Sequence, residues 1–132
     1  MLKKVTISTH SRIQMIPIDR EVEKAVQESG VQEGICVIWV PHTTAGITVN
    51  ENADPSVIRD ILYATGKVFP PDDHFHHVEG NSDAHIKSSL FGPSLSLIIS
   101  KNRLVLGTWQ SIFFCEFDGP RERSCYIKIV EG

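Results

Sequence analysis

Polar and β-branched residues alternate along "KKVTIST" (residues 3–9), the two-residue period of a strand with one buried face. "RIQMIPI" (12–18) is β-prone as well and predicts a strand pairing with the first, closed by Pro17. The period then lengthens. In "REVEKAVQES" the positions Val22, Ala25 and Val26 form a narrow stripe at helical spacing, with Asp19 as the cap and Gly30 as the stop. "GICVIWVPH" (34–42) is apolar almost without a break and predicts a buried strand. "GITVNEN" (46–52) alternates again, with Ile47, Val49 and Glu51 on one face and Thr48, Asn50 and Asn52 on the other.

Asp54-Pro55 opens a second helix: a capping carboxylate, then a proline in the first turn, where no N–H is needed. Val57, Ile58, Ile61 and Leu62 are its inward positions and Gly66 its stop. Residues 67–80 predict an irregular loop, held out of regular structure by Pro70 and Pro71. Ser82 or Asp83 caps a short third helix, "AHIKSSLF", which turns Ile86 and Leu90 to the core and ends at Gly92-Pro93. The rest is strand: 94–100, a turn at Lys101-Asn102, then 103–109, 111–118 and 124–131. With no repeat, low-complexity run or linker, the pattern predicts one α+β domain over residues 1–132. Its sheet is mostly antiparallel and its helices are about three and short.

Composition narrows the partners. The chain has 132 residues, 41% hydrophobic and 22% charged, which suits a folded soluble domain. A net charge of −3 gives no general attraction to phosphate backbones, so nucleic acid is not an expected partner. Arg121, Arg123 and Lys128 leave a local anion site open, although "EFDGPRERS" reads first as a hairpin turn with exposed charges. The longest apolar run, "ICVIWV" (35–40), is too short to cross a bilayer, and no signal peptide is expected at the N-terminus. Cys36, Cys115 and Cys125 show no paired spacing and sit in strand-like surroundings. They read as reduced core thiols of a cytoplasmic protein.

The candidate chemistry lies in histidines. "DDHFHHVEGNSDAH" (72–85) holds four of the chain's six. In an extended segment His74 and His76 share a side and His77 takes the other. His85 falls in the first turn of the third helix, where it can face back toward the loop. His42, at the end of a buried strand, can supply a third imidazole. His42, His76 and His85 with one open position match a zinc or similar divalent site. Glu51, Glu79, Asn81 and Asp83 are candidate partners orienting these rings. The bland alternative is a solvated loop of idle histidines, with the threonines of "HTTAG" merely shaping a turn. Trp109 reads as a core or interface aromatic, and Gln110 as either a substrate contact or a hairpin cap.

Three separated stretches, "HTTAGITVNENADPSVIRDIL", "EGNSDAHIKSSLFGPSL" and "NRLVLGTWQ", resemble the YjbQ-like family, which carries the label secondary thiamine-phosphate synthase. The resemblance runs from about residue 5 to 131. It implies an α+β fold, a homotrimer and a histidine-lined site. In the first stretch the family pattern falls on His42, Thr43, Asn50 and Glu51. In the second it falls on His76, Glu79, Gly80, His85, Lys87 and Ser88, and in the third on Gly107, Trp109 and Gln110. The family position after the loop histidine is usually acidic or amide; here it is His77.

Read for function, His42, Glu51, His76, His85 and Gln110 are the catalytic candidates. Thr43, Asn50, Glu79, Lys87, Ser88 and Arg121 are the candidates for binding a small phosphorylated molecule. Joining a pyrimidine diphosphate to a thiazole phosphate, the reaction implied by the label, ordinarily uses Mg²⁺ held by carboxylates. This chain offers imidazoles instead, so two further classes stand beside the transferase. One is a non-catalytic trimeric protein that binds a metal or phosphorylated metabolite, and the other is a metal-assisted hydrolase.

Overall fold

The computed structural model describes residues 1–132. The elements run β1 (Leu2–Ser8), β2 (Gln14–Pro17), α1 (Asp19–Ser29), β3 (Glu33–Trp39), β4 (Ala45–Glu51), α2 (Pro55–Val68), α3 (Ser82–Phe91), β5 (Ser94–Ser100), β6 (Arg103–Leu104), β7 (Gln110–Glu116) and β8 (Glu122–Glu131). The α+β reading holds. The strands form two antiparallel sheets, one of five in the order β1-β8-β3-β5-β6 and one of three in the order β2-β7-β4.

The main core fills the space between the sheets. Cys36, Ile38, Ile127 and Ile129 from the larger sheet meet Ile47, Ile112 and Phe114 from the smaller, and Val22, Ala25 and Val26 of α1 complete it. The other face of the small sheet carries Met15, Phe113, Cys115 and Phe117, covered by Ala84 and Phe91 of α3 and by Ile58, Ile61 and Leu62 of α2. β7 is thus buried on both faces, which explains its unbroken "SIFFCEF". β3 differs. Its inner residues are buried, but Ile35, Trp39 and Ile98 on the outer face of the large sheet stay open in the single chain, so only one face of this strand is covered.

Several local expectations change. β2 does not pair with β1; it pairs with β7 in the other sheet, where Met15 reaches the second core. Asp19 does not cap α1 with its side chain, because its carboxylate accepts the Ile112 N–H at 2.7 Å instead. Gly66 does not stop α2, which runs on to Val68; a single glycine lowers helix stability without ending it. The strand expected over 103–109 keeps only two residues, since Gly107–Gln110 forms a turn. α3 buries Asp83, Ala84, Lys87 and Ser88, not Ile86 and Leu90, so its inward face is largely polar. Asp54 with Pro55, and Gly30 in the left-handed conformation at φ 69°, act as expected.

Candidate functional site

β3 ends at Trp39, and the chain crosses to the small sheet through residues 40–44. Continuing the β3–β8 register, in which Trp39 faces Tyr126, would set Pro41 opposite Ser124. Proline has no N–H to give, so a ladder there cannot close. The imidazole of His42 takes its place: Nε2 lies 3.0 Å from the Ser124 nitrogen and 3.2 Å from its carbonyl oxygen. Burial lowers the His42 pKa, the Arg123 guanidinium lowers it further, and the neutral ring is favoured. A neutral Nε2 that accepts the Ser124 N–H leaves the proton on Nδ1, which has no partner within the chain.

A buried ion pair anchors this crossing. Glu116 is fully buried and receives the Arg123 guanidinium, the Thr9 hydroxyl at 2.8 Å and the Asp118 N–H at 3.1 Å. Arg123 also donates to the Thr44 hydroxyl and carbonyl, at 2.8 and 3.2 Å. Burial alone would raise the Glu116 pKa, but the hydrogen bonds from Arg123, Asp118 and Thr9 outweigh it and bring it below the usual value. Arg123 is therefore not an exposed turn charge; the guanidinium is spent inside the fold.

α3 is set against the same crossing. Gly46 lets it approach, since a Cβ there would lie 3.0 Å from the Gly92 carbonyl and 3.1 Å from Phe91. Ser88 donates to the Ala45 carbonyl at 2.6 Å, and the Ile47 and Val40 N–H groups bond Gly92 and Pro93. The outcome is a cleft of about 500 Å³ lined by His42, Thr43, His85, Ser88, Ser89 and Pro93. The Ser88 and Ser89 hydroxyls are spent on backbone carbonyls. The groups left for a ligand are His42, Thr43 and the ring of His85, none of whose nitrogens bonds the chain.

The structure thus brings His42 and His85 together, forty-three positions apart in the sequence. It does not bring His76 to them. The neighbour of His85 is His77, ring centroids 5.2 Å apart and nearly perpendicular. Residues 72–80 are not extended: turns close at Phe75 N–H to Asp72 and at Gly80 N–H to His77, the latter with Gly80 at φ 75°. Two turns change which imidazoles share a side. Glu79 stands 4.0 Å from His77, and His74 is 97% exposed beside Asp72. No group of three or more His, Cys, Asp or Glu side chains is arranged to hold a metal ion in the chain. The expected three-imidazole centre of His42, His76 and His85 is therefore not assembled here, and no carboxylate lines the cleft for Mg²⁺.

Lys87 is only 2% exposed, its pKa lowered by burial, and it lies 3.8 Å from Asp83, itself held by Arg12. It sits inside the fold, not on the cleft. Arg121 is exposed and paired with Asp118 at 3.1 Å. The three cysteines are free and buried, and burial raises each thiol, Cys36 and Cys125 to about 11.

Asn50, Glu51 and Gln110 lie elsewhere. The seven residues of β4, at about 3.3 Å each, put roughly 20 Å between its two ends. Thr43 precedes one end, while Glu51, paired with Gln110, closes the other. There a second cleft of about 540 Å³ is lined by Val49, Asn50, Glu51, Gly107, Thr108, Trp109 and Gln110. "HTTAGITVNEN" therefore does not form one site. Its strand period, already legible, places the two halves at opposite ends.

Residues 3–132 match the family model described as UPF0047 protein YjbQ-like. The chain is 53% identical over 131 residues to UPF0047 protein YugU of Bacillus subtilis, covering 98% of this chain and 99% of that protein. It is 55% identical over 130 residues to UPF0047 protein MJ1081 of Methanocaldococcus jannaschii, covering 98% and 94%. Among solved structures, an uncharacterized YjbQ/UPF0047 protein from Clostridium acetobutylicum superposes with a TM-score of 0.95 at 55% identity, covering 97% of this chain and 99% of that one. A YbjQ-like protein of unknown function from Sulfolobus solfataricus gives 0.95 at 32% identity, covering 100% and 97%. The length, the fold and the motifs agree: this chain belongs to the YjbQ-like UPF0047 family.

Proposed function

We propose that the chain is a small enzyme that binds a phosphorylated molecule in the cleft between His42 and His85 and moves a proton there. One observation carries this reading: two imidazoles from distant segments line one cleft, and that of His42 is held by Ser124 with Nδ1 unclaimed by the chain. Neutral His42 is suited to donate from Nδ1–H to a phosphoryl oxygen, Thr43 offers a hydroxyl, and His85 acts as the partner acid or base. The specific version is a transfer of the thiamine-phosphate synthase type, in which the cleft would hold the departing diphosphate.

Self-association as a homotrimer and a cytoplasmic location belong to the same reading. The first is supported by a row of Ile98, Ile35 and Val130 paired across three strands on the open face of the large sheet, with Trp39 beside it. The second is supported by three buried, unpaired thiols. No helix is long and apolar enough to cross a membrane.

Turnover of the pyrimidine diphosphate and thiazole phosphate pair tests the proposal, with metal content measured on untagged protein. His85→Ala should abolish turnover, while His74→Ala should leave it within about twofold, since exposed side chains away from a site are near neutral. Equal losses from both would contradict it. Light scattering at micromolar protein that gives a monomer mass would remove the trimer.

A further inference from the structure

The cleft at the far end of β4 has a chemistry of its own. Glu51 is the only charged residue among its lining groups, and its carboxylate takes neither a hydrogen bond nor a cation from the chain. Beside it the Trp109 indole is 65% exposed in the single chain, so of the two expected places, core or interface, it does not take the core. The segment carrying that indole is not loose. Gln110 N–H donates to the Gly107 carbonyl at 3.1 Å, Gly107 N–H donates to Gln110 Oε1 at 2.7 Å, and Asn52 N–H donates to the Trp109 carbonyl at 2.9 Å.

The two carboxamides are half-used, and in the same sense. Asn50 Oδ1 accepts the Glu51 N–H at 2.7 Å, and Gln110 Oε1 accepts from Gly107. Each oxygen already accepts one hydrogen bond inside the chain, while neither NH₂ group donates to it. Gln110 is the direct cross-strand partner of Glu51 and shares its face, so the cleft presents an unpaired carboxylate, an open aromatic surface and a free amide donor, with Asn50 at its rim.

We propose that this cleft is a binding site for a flat, positively charged nitrogen heteroaromatic that carries a hydrogen-bond acceptor. A ring cation is attracted both by the carboxylate and by the negative face of the indole. The acceptor on the ring takes the Gln110 amide donor, and about 540 Å³ is ample for one or two rings. The proposal is independent of the imidazole cleft, a strand's length away.

1-Methylnicotinamide, a pyridinium bearing a carbonyl acceptor, is a suitable probe, and nicotinamide is its uncharged counterpart. Binding is followed by the Trp109 indole N–H signal in NMR spectra, assigned with Trp39→Phe. The cation should give a saturable shift and bind about tenfold more tightly than nicotinamide, a factor within the range of a cation on an aromatic face. Glu51→Gln should erase that preference with the fold intact by circular dichroism, and His85→Ala should leave it unchanged. No saturable shift, equal affinities, or a preference that survives Glu51→Gln would overturn the site. Loss of thiamine-type turnover in His85→Ala, with this binding retained, separates the two clefts.

Discussion

The two ends of β4 carry the two clefts, and they are built by different means. At the N-terminal end the chain crossing is held from within, by the Glu116–Arg123 pair, the Thr44 contacts and the polar face of α3. At the C-terminal end nothing charged is buried, and a turn closed by the Gln110 backbone and carboxamide presents Trp109. The first arrangement fixes imidazoles through the core, so its loss should reach stability. The second hangs on the surface, so its loss should reach binding only.

Breaking the buried pair gives the largest expected difference. Arg123→Ala should destabilise by about 3–5 kcal/mol, since it leaves Glu116 buried without a counter-charge, whereas Trp109→Ala should stay within about 0.5 kcal/mol. Urea denaturation of both variants checks this; comparable losses would erase the contrast. Next comes Gly46→Ala, whose added methyl meets the Gly92 carbonyl and Phe91. A cost of about 1–3 kcal/mol is expected from overpacking. It should be accompanied by displacement of α3, visible as a changed His85 ring signal while Trp109 is unmoved.

Acid should separate the two ends as well. Glu116 has a folded pKa below its ordinary 4.5, so its stabilisation is full above that value and is lost as pH falls through the lowered one. His42 has a folded pKa below 6.5, so the unfolded chain takes up the proton first. Stability should therefore fall as pH drops below about 6.5 and level off once the folded ring is protonated too. Arg123→Ala removes one cause of the low His42 pKa and should raise it, as read from the ring proton titration. An unchanged His42 titration would detach the buried pair from the cleft.

What the sequence showed plainly was local. Gly30, Asp54-Pro55 and Gly92-Pro93 set helix ends through their own backbone chemistry, and the alternation in "GITVNEN" is a strand in the structure. What it hid was decided by packing between distant segments. Arg123 reads as a turn charge because its partner Glu116, only seven residues back, lies in the other sheet, and Thr44 comes from seventy-nine residues away. The "IKSSL" stretch looks amphipathic around Ile86, yet Lys87 and Ser88 turn inward because Asp83 and the Ala45 carbonyl wait there. His76 and His77 are neighbours in the chain, and only the turns at 72–75 and 77–80 select which meets His85. At His42 the apolar run predicted a strand over 34–42, but it ends at Trp39: Pro41 has no N–H for the ladder, and the His42 ring bonds Ser124 in its place.

The most direct test of the account follows the histidine ring protons and the two indole N–H signals together while pyrophosphate is added. His42 and His85 should shift in parallel with one saturating affinity, His74 should stay still, and Trp109, roughly 20 Å away along β4, should not respond. If His42 and His85 move independently or not at all, or if Trp109 moves with them, the imidazole cleft is not the phosphate site.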